Sequence, residues 1–348
     1  MSKSIIDVAK AAGVSKSTVS RVLNNGSVKP ETRDKVFRAI KELDYYPNAM
    51  ARGLKGKSNH IIGVIIPKVA GKTSSVFESK QALSTLNGIE EIISKQDYSL
   101  LLIFDLLLTK GNEFKNNDHD YLKYFRENKI DGLIILAKRN EDNNLQNAIN
   151  EYKPIVYIGE RFKDYGGYNI YVHYKKFNKQ VYNYLYDEGH TNIVSITDRS
   201  TIWEVGVRKY DAYKEFCKEK NIIYEEENII DVNKLANNIY DVIEDKLESG
   251  CTAFYLEDSY ITIKIMNILY EMNKKVPDDV SVISIEHGGN DISAIYPFIT
   301  TVNIPNYEMG KESAKLLMDI LQNRPVNDKE ILLKPHMIER KSVKIIEK

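Results

Sequence analysis

From Ile61 to Ile285 the chain alternates short β-rich apolar runs with longer helical stretches. The runs cover residues 61–66, 98–104, 130–136, 155–158, 193–196, 253–256 and 280–285. Helical patterns at 182–188, 207–219, 235–248 and 260–272 lie between the later ones. This alternation predicts parallel sheets with helices on both faces. In such folds ligands bind at the carboxyl ends of the strands, so the loops after the strands are the candidate binding loops. Neither an internal repeat nor a long low-complexity linker interrupts the pattern.

The first 58 residues differ in kind. They hold 12 Lys and Arg against 5 Asp and Glu, whereas the remainder holds 37 against 44. The chain is neutral as a whole, so a basic head sits on an acidic body, and a basic head points to a polyanion. Ser4 and Asp7 have the spacing of a capping box, which starts a helix over 5–12. Gly13 supplies a turn, and Ser15 caps a second helix from 16 to about 24. Two short helices around a glycine turn form a helix-turn-helix.

On the second helix, Val19, Val22 and Leu23 recur at i, i+3, i+4 and form the packing face. Lys16, Ser17, Ser20, Arg21 and Asn24 form the other face, which carries no acid. In a major groove Arg21 donates two hydrogen bonds to guanine, and Lys16 and Ser17 reach base edges. A cation at Lys16 disfavours the helix dipole, which makes sense for a residue facing DNA. A third helix opens near Pro30 and carries Val36, Ala39, Ile40 and Leu43 as its apolar stripe.

Residues 4–24 read Ser-Ile-Ile-Asp-Val-Ala-Lys-Ala-Ala-Gly-Val-Ser-Lys-Ser-Thr-Val-Ser-Arg-Val-Leu-Asn, and 46–54 read Tyr-Pro-Asn-Ala-Met-Ala-Arg-Gly-Leu. The first tract resembles the headpiece of the LacI/GalR family of bacterial repressors, and the second resembles that family's hinge helix. The resemblance implies a homodimer on double-stranded palindromic operator DNA. Lys16, Ser17 and Arg21 would read bases, and Leu54 would wedge a central base step apart in the minor groove. Ser15, Thr18, Ser20, Asn24, Tyr46, Asn48 and Arg52 would contact the DNA backbone. Gly53 and Gly56 would keep the hinge from being a stable helix alone. One departure is Lys29, where the family often caps the third helix with Ser or Thr.

Fragments of the body resemble the same family, among them Asp131-Gly132-Leu133-Ile134, Gly189-His190-Thr191-Asn192-Ile193 and Val276-Pro277-Asp278-Asp279-Val280. They imply a periplasmic-binding-protein-like α/β body: two Rossmann-like subdomains with a ligand cleft between them. The expected organisation is a headpiece at 1–47, a hinge and linker at 48–58, and an effector-binding and dimerisation core at 59–348. Subdomain crossings are expected near 160, 290 and 325. Arg208 falls where the family places an arginine on ligand hydroxyls. Trp203, the one tryptophan, is either a platform for a sugar ring or base, or a core residue. Glu257 and Glu286 stand where the family often has Asn or Asp, and Phe77 is the aromatic of the loop after the first body strand. Carboxylates at both positions suit the hydroxyls of a sugar or polyol and oppose a phosphate or carboxylate.

Other chemistry finds little support. Gly71-Lys72-Thr73 lacks the glycine a phosphate-binding loop needs five residues earlier, where Ile66 stands. The six histidines lack metal-like spacing, and no Gly-x-Ser-x-Gly elbow is present. No cofactor is expected. Cys217 and Cys251 read as free thiols of a reducing cytoplasm. The longest apolar runs fall short of the ~20 residues that span a bilayer, and Asp7 is too early for a signal-peptide core. These features favour a cytoplasmic, non-enzymatic repressor of carbohydrate use, controlled by a small sugar-like effector. Control by a purine or a protein partner is the alternative within that class. A transport-type sugar-binding protein would need an export signal, and a sugar-converting enzyme a base or nucleophile in the cleft.

Overall fold

The computed structural model describes residues 3–23, 26–45, 58–69, 79–110, 113–115, 121–136, 143–151, 154–161, 166–197, 204–235, 238–256, 259–288, 292 and 295–347. The chain divides into a unit up to Asn59 and a unit from His60 onward.

In the first unit the helices are α1 (Ile5–Ala12), α2 (Lys16–Leu23) and α3 (Pro30–Glu42). The capping box forms as expected. The Ser4 N–H donates to Asp7 Oδ2 at 2.8 Å, and the Asp7 N–H donates to Ser4 Oγ at 3.4 Å. Gly13 takes the left-handed conformation (φ 66°, ψ 34°) and its N–H closes the end of α1, which glycine does at little cost. Val8, Val19, Val22, Val36, Ala39 and Tyr45 are buried together and hold the helices on one core. Lys29 makes no side-chain cap; Pro30 at the first turn of α3 removes one donor that a cap would have served.

In the second unit, strands β1 (Ile61–Val69), β2 (Ser99–Lys110), β3 (Glu113–Lys115), β4 (Gly132–Leu136), β5 (Ile155–Gly159) and β6 (Tyr168–Tyr171) lie in one sheet. Helices α4 (Lys80–Ile93), α5 (Tyr121–Arg126) and α6 (Asn143–Asn150) connect them. Helix α7 (Tyr174–Asp187) leads to β7 (Ile193–Thr197), α8 (Glu204–Lys220), β8 (Ile229–Asp231), α9 (Ile239–Glu248), β9 (Ala253–Leu256), α10 (Ser259–Glu271), β10 (Ser281–Glu286) and β11 (Thr300–Asn303). These later strands form a second sheet. Helix α11 (Asn306–Leu321) then packs on α4 and on the first sheet, β12 (Glu330–Leu332) joins that sheet, and β13 (His336–Ile338) joins the second.

Among the described residues the sheet orders are β12-β6-β5-β4-β1-β2-β3 and β13-β11-β10-β9-β7-β8. Pairing is parallel except for β2–β3 and β11–β13. Buried side chains alternate between the two faces along a strand. Ile134 and Leu136 enter one apolar cluster while Leu133 and Ile135 enter another. Val194 and Ile196 likewise face away from Ile193. Apolar side chains are therefore buried on both faces of both sheets, and each fully buried Ile or Leu contributes about 1.5–3 kcal/mol.

The crossings between the halves fall at residues 172–173, 304–305 and 333–335, later than the expected 160, 290 and 325. The cause is pairing: β6 adds to β5 in the first sheet, and β11 adds to β10 in the second, before the chain leaves. Helices α4 and α11 touch backbone to backbone. A Cβ at Gly88 would overlap the Tyr307 carbonyl, and one at Gly310 would overlap the Thr85 carbonyl.

Candidate nucleic-acid interface and ligand cleft

The turn at Gly13 and the cap at Ser15 fix how α2 is presented. Ser15 Oγ accepts the Thr18 N–H at 3.1 Å and shares hydrogen bonds with Ser17 Oγ (2.7 Å) and Thr18 Oγ1 (2.8 Å). With Val19 and Val22 committed to the core, Lys16, Ser17 and Arg21 are exposed and Ser20 and Thr18 are half-buried. At the other end the Gly26 N–H donates to the Arg21 carbonyl at 2.8 Å, and Arg33 Nη2 donates to the Gly26 carbonyl at 3.1 Å. Arg33 therefore braces the end of α2 from α3, a role that sequence periodicity did not mark. Asp7 is held below the ordinary carboxylate range, chiefly by the Ser4 backbone N–H and then by the Ser4 hydroxyl. It belongs to the α1 cap, and α2 itself carries no acid. Asn24, Tyr46, Asn48, Arg52 and Leu54 lie outside the described residues.

In the body, the carboxyl edges of the sheets carry the candidate ligand groups. Arg208 stands in the first turns of α8, half-exposed, with Nη1 3.8 Å from Asp211 Oδ2. Glu286 ends β10 and is 5% exposed. Its Oε2 accepts from Thr301 Oγ1 at 3.2 Å, and that hydroxyl accepts from Arg340 Nη1 at 2.8 Å. One oxygen of Glu286 is thus committed to its own sheet. Phe77, Trp203 and Glu257 lie outside the described residues.

Two residues not singled out from sequence stand out here. Glu160, after β5, is 6% exposed and accepts the Tyr174 N–H at 3.0 Å and the Arg161 N–H at 3.3 Å. His173 Nδ1 lies 3.4 Å from its other oxygen contact, Oε1. Lys209, next to Arg208, is buried and lines a recess with Asn178, Tyr182, Ser195, Thr197 and Tyr255. The only sequence signal for Glu160 was an acid directly after a strand, and for Lys209 its place beside Arg208. Cys217 and Cys251 are buried free thiols whose pKa values burial pushes up, that of Cys251 to about 12. No helix among the described residues is long and apolar enough to cross a membrane.

Comparison with known proteins matches this geometry. Residues 4–48 fit the family model of bacterial regulatory proteins of the lacI family, and residues 182–343 fit the periplasmic binding protein-like domain. The HTH-type transcriptional regulator RegA of Clostridium saccharobutylicum is 30% identical over 98% of this chain and 99% of its own. Catabolite control protein A of Streptococcus mutans is 27% identical over 98% of each chain. Among solved structures, the lac repressor dimer bound to operator and the anti-inducer ONPF superposes with a TM-score of 0.80 at 22% identity, covering 99% of this chain and 100% of that one. The complex of the transcriptional regulator CelR with cellobiose superposes with a TM-score of 0.66 at 22% identity, over 98% and 99%. Alike in its head, its body and its full length, the chain belongs to the LacI family of bacterial regulatory proteins and is a DNA-binding transcriptional regulator.

Proposed function

We propose that the protein is a homodimeric repressor of a carbohydrate-utilisation operon. Each head reads one half-site of a palindromic operator, and a small sugar-like effector in the body's cleft controls the affinity. The carrying observation is the face of α2: Lys16, Ser17 and Arg21 exposed together, without an acid, on a helix fixed by Gly13 and Ser15. Lys16, Ser17 and Arg21 read base edges, each good pair worth about 1–3 kcal/mol of discrimination. Ser15, Thr18, Ser20, Asn24, Tyr46, Asn48 and Arg52 hold the phosphates, which set register. Leu54 reads the deformability of the central step.

The body binds its effector at the carboxyl edges of the sheets through Arg208 and Glu286, with Phe77, Trp203 and Glu257 as further contacts. The effector leaves chemically unchanged, and the protein acts beside DNA in the cytoplasm. One structural neighbour supports a carbohydrate effector: the transcriptional regulator CelR was solved with cellobiose. An exposed apolar stripe on α10, Tyr260, Ile263 and Tyr270, supports a dimer. Fluorescence anisotropy at one salt concentration tests the reading. A selected palindromic duplex is expected to bind far more tightly than a duplex with one half-site scrambled. Equal affinity for both would sink it.

A further inference from the structure

His173 stands where the chain first leaves one half of the body for the other, after the carboxyl end of β6 and as the cap residue of α7. Strand-to-helix turns at that edge are where such folds bind ligands. Its side chain is half-exposed, and its Nδ1 lies 3.4 Å from Oε1 of the buried Glu160. We propose that His173 is an effector contact whose Nε2 accepts a hydrogen bond from a ligand hydroxyl, with Glu160 as the positioning residue that fixes the ring. The inference rests on the effector-cleft reading above and names the polarity of one contact, which calls for a hydroxyl donor of a neutral sugar or polyol.

The placement of one proton carries the first part of the argument. Glu160 acts as an acceptor on both oxygens: Oε2 takes the Tyr174 N–H at 3.0 Å and Oε1 the Arg161 N–H at 3.3 Å. A carboxylate that accepts from His173 puts the proton of the neutral ring on Nδ1, which leaves Nε2 as a lone-pair acceptor. Among the described residues Nε2 has no hydrogen-bond partner. Tyr171 meets the same ring edge-on, with centroids 5.1 Å apart and planes at 74°, so the imidazole is oriented from two sides.

The second part is polarity on the other half. Glu286 ends β10 beside the second crossing, where its backbone carbonyl accepts the Ile304 N–H at 3.0 Å. Its Oε2 accepts from Thr301, and its Oε1 has no partner among the described residues. Acceptors next to two crossings call for a ligand that brings donors, which hydroxyls do and a phosphate or carboxylate does not. The charged groups around His173 are Glu160, Arg161, whose Nη2 is bonded to Glu330 at 2.7 Å, and Lys175 on α7, which is paired with Glu215. A proton taken up by the ring would sit on Nε2 and turn the acceptor into a donor. Proton and ligand hydroxyl therefore compete for one lone pair, and ligand affinity falls as His173 becomes protonated.

Isothermal titration calorimetry on the full chain tests this with glucose, galactose, ribose and cellobiose at about pH 8 and about pH 5.5, on either side of the range where imidazoles ordinarily titrate. At least one sugar is expected to bind, and to bind about tenfold more weakly at the lower pH, since about a tenth of an ordinary imidazole stays neutral one unit below its midpoint. His173→Phe keeps a ring without the acceptor and is expected to weaken binding about tenfold at the higher pH. His173→Gln supplies an acceptor oxygen that does not titrate. It is expected to bind within about threefold of wild type at the higher pH and to lose the pH dependence. Both variants are expected to keep operator affinity measured without sugar. Sugar binding that His173→Phe leaves unchanged, or pH profiles that run parallel in wild type and His173→Gln, would overturn the contact alone. No sugar binding by wild type would overturn it together with the sugar-effector reading.

Discussion

The carboxylate of Glu160 accepts the backbone N–H of Tyr174 at 3.0 Å, so a strand end in one half of the body caps the first helix of the other. The carboxylate is buried, and the N–H it receives also donates to the Val172 carbonyl at 3.0 Å. Glu160→Ala is expected to destabilise the body by about 1–3 kcal/mol, the range for removing the partner of a buried donor. Glu160→Gln keeps an acceptor and is expected to lose less. Urea unfolding of the three proteins checks the order.

Gly13 and Gly310 are both required, for different reasons. A Cβ at Gly13 meets nothing within 4 Å, so Gly13→Ala costs only the left-handed backbone, about 1–2 kcal/mol. A Cβ at Gly310 runs into the Thr85 carbonyl, so Gly310→Ala must push α11 from α4, at a cost on the order of 3 kcal/mol. Hydrogen exchange separates them: Gly13→Ala is expected to lower protection in the head alone, Gly310→Ala in the body alone.

His190 gives the body a pH dependence. It is fully buried, with Nε2 donating to the Lys344 carbonyl at 3.1 Å and Nδ1 3.0 Å from Thr252 Oγ1. Burial lowers its pKa below the ordinary 6.5. The unfolded chain therefore takes up this proton at a higher pH than the folded one. The contribution of His190 is complete above pH 6.5 and is lost as pH falls through 6.5 toward the folded value. Urea midpoints are expected to drop more between about pH 7 and pH 5.5 in wild type than in His190→Gln. Parallel profiles would contradict this role.

Arg21 is exposed, and its backbone carbonyl, not its guanidinium, serves the end of α2. Arg21→Ala is therefore expected to leave stability within about 0.5 kcal/mol. It is expected to weaken operator binding by about 1–3 kcal/mol and to relax the sequence preference at one position of each half-site. Binding measured on single-base operator variants reads both effects.

Strands β1, β2, β4, β5, β7, β9 and β10 were legible because each contains an apolar run. Strand β6, with Asn169, and β11, with Thr300 and Thr301, were not, because they are short and partly polar. Their state comes from partners far along the chain, as when Glu330 pairs with Asn169. Unseen strands also displaced the crossings: without β6 the chain seemed to leave the first sheet after β5. On α2 the exposed face followed from helical spacing, since burying Val19 and Val22 leaves Lys16, Ser17 and Arg21 outside. Glu160 and Lys209 left no such mark. Nothing local distinguishes a buried acid after a strand, or a buried lysine on a charged helix, from its exposed counterparts.

The central claim, sequence-specific DNA binding governed by a ligand, is tested most directly by selecting operators from random duplexes and measuring affinity with and without neutral and acidic sugars. Salt is held constant, because phosphate contacts make affinity steeply salt-dependent. The account predicts one palindrome, bound tightly and shifted by a sugar-type compound by about five- to 150-fold, the range of a 1–3 kcal/mol coupling. Failure to select any preferred sequence would contradict it.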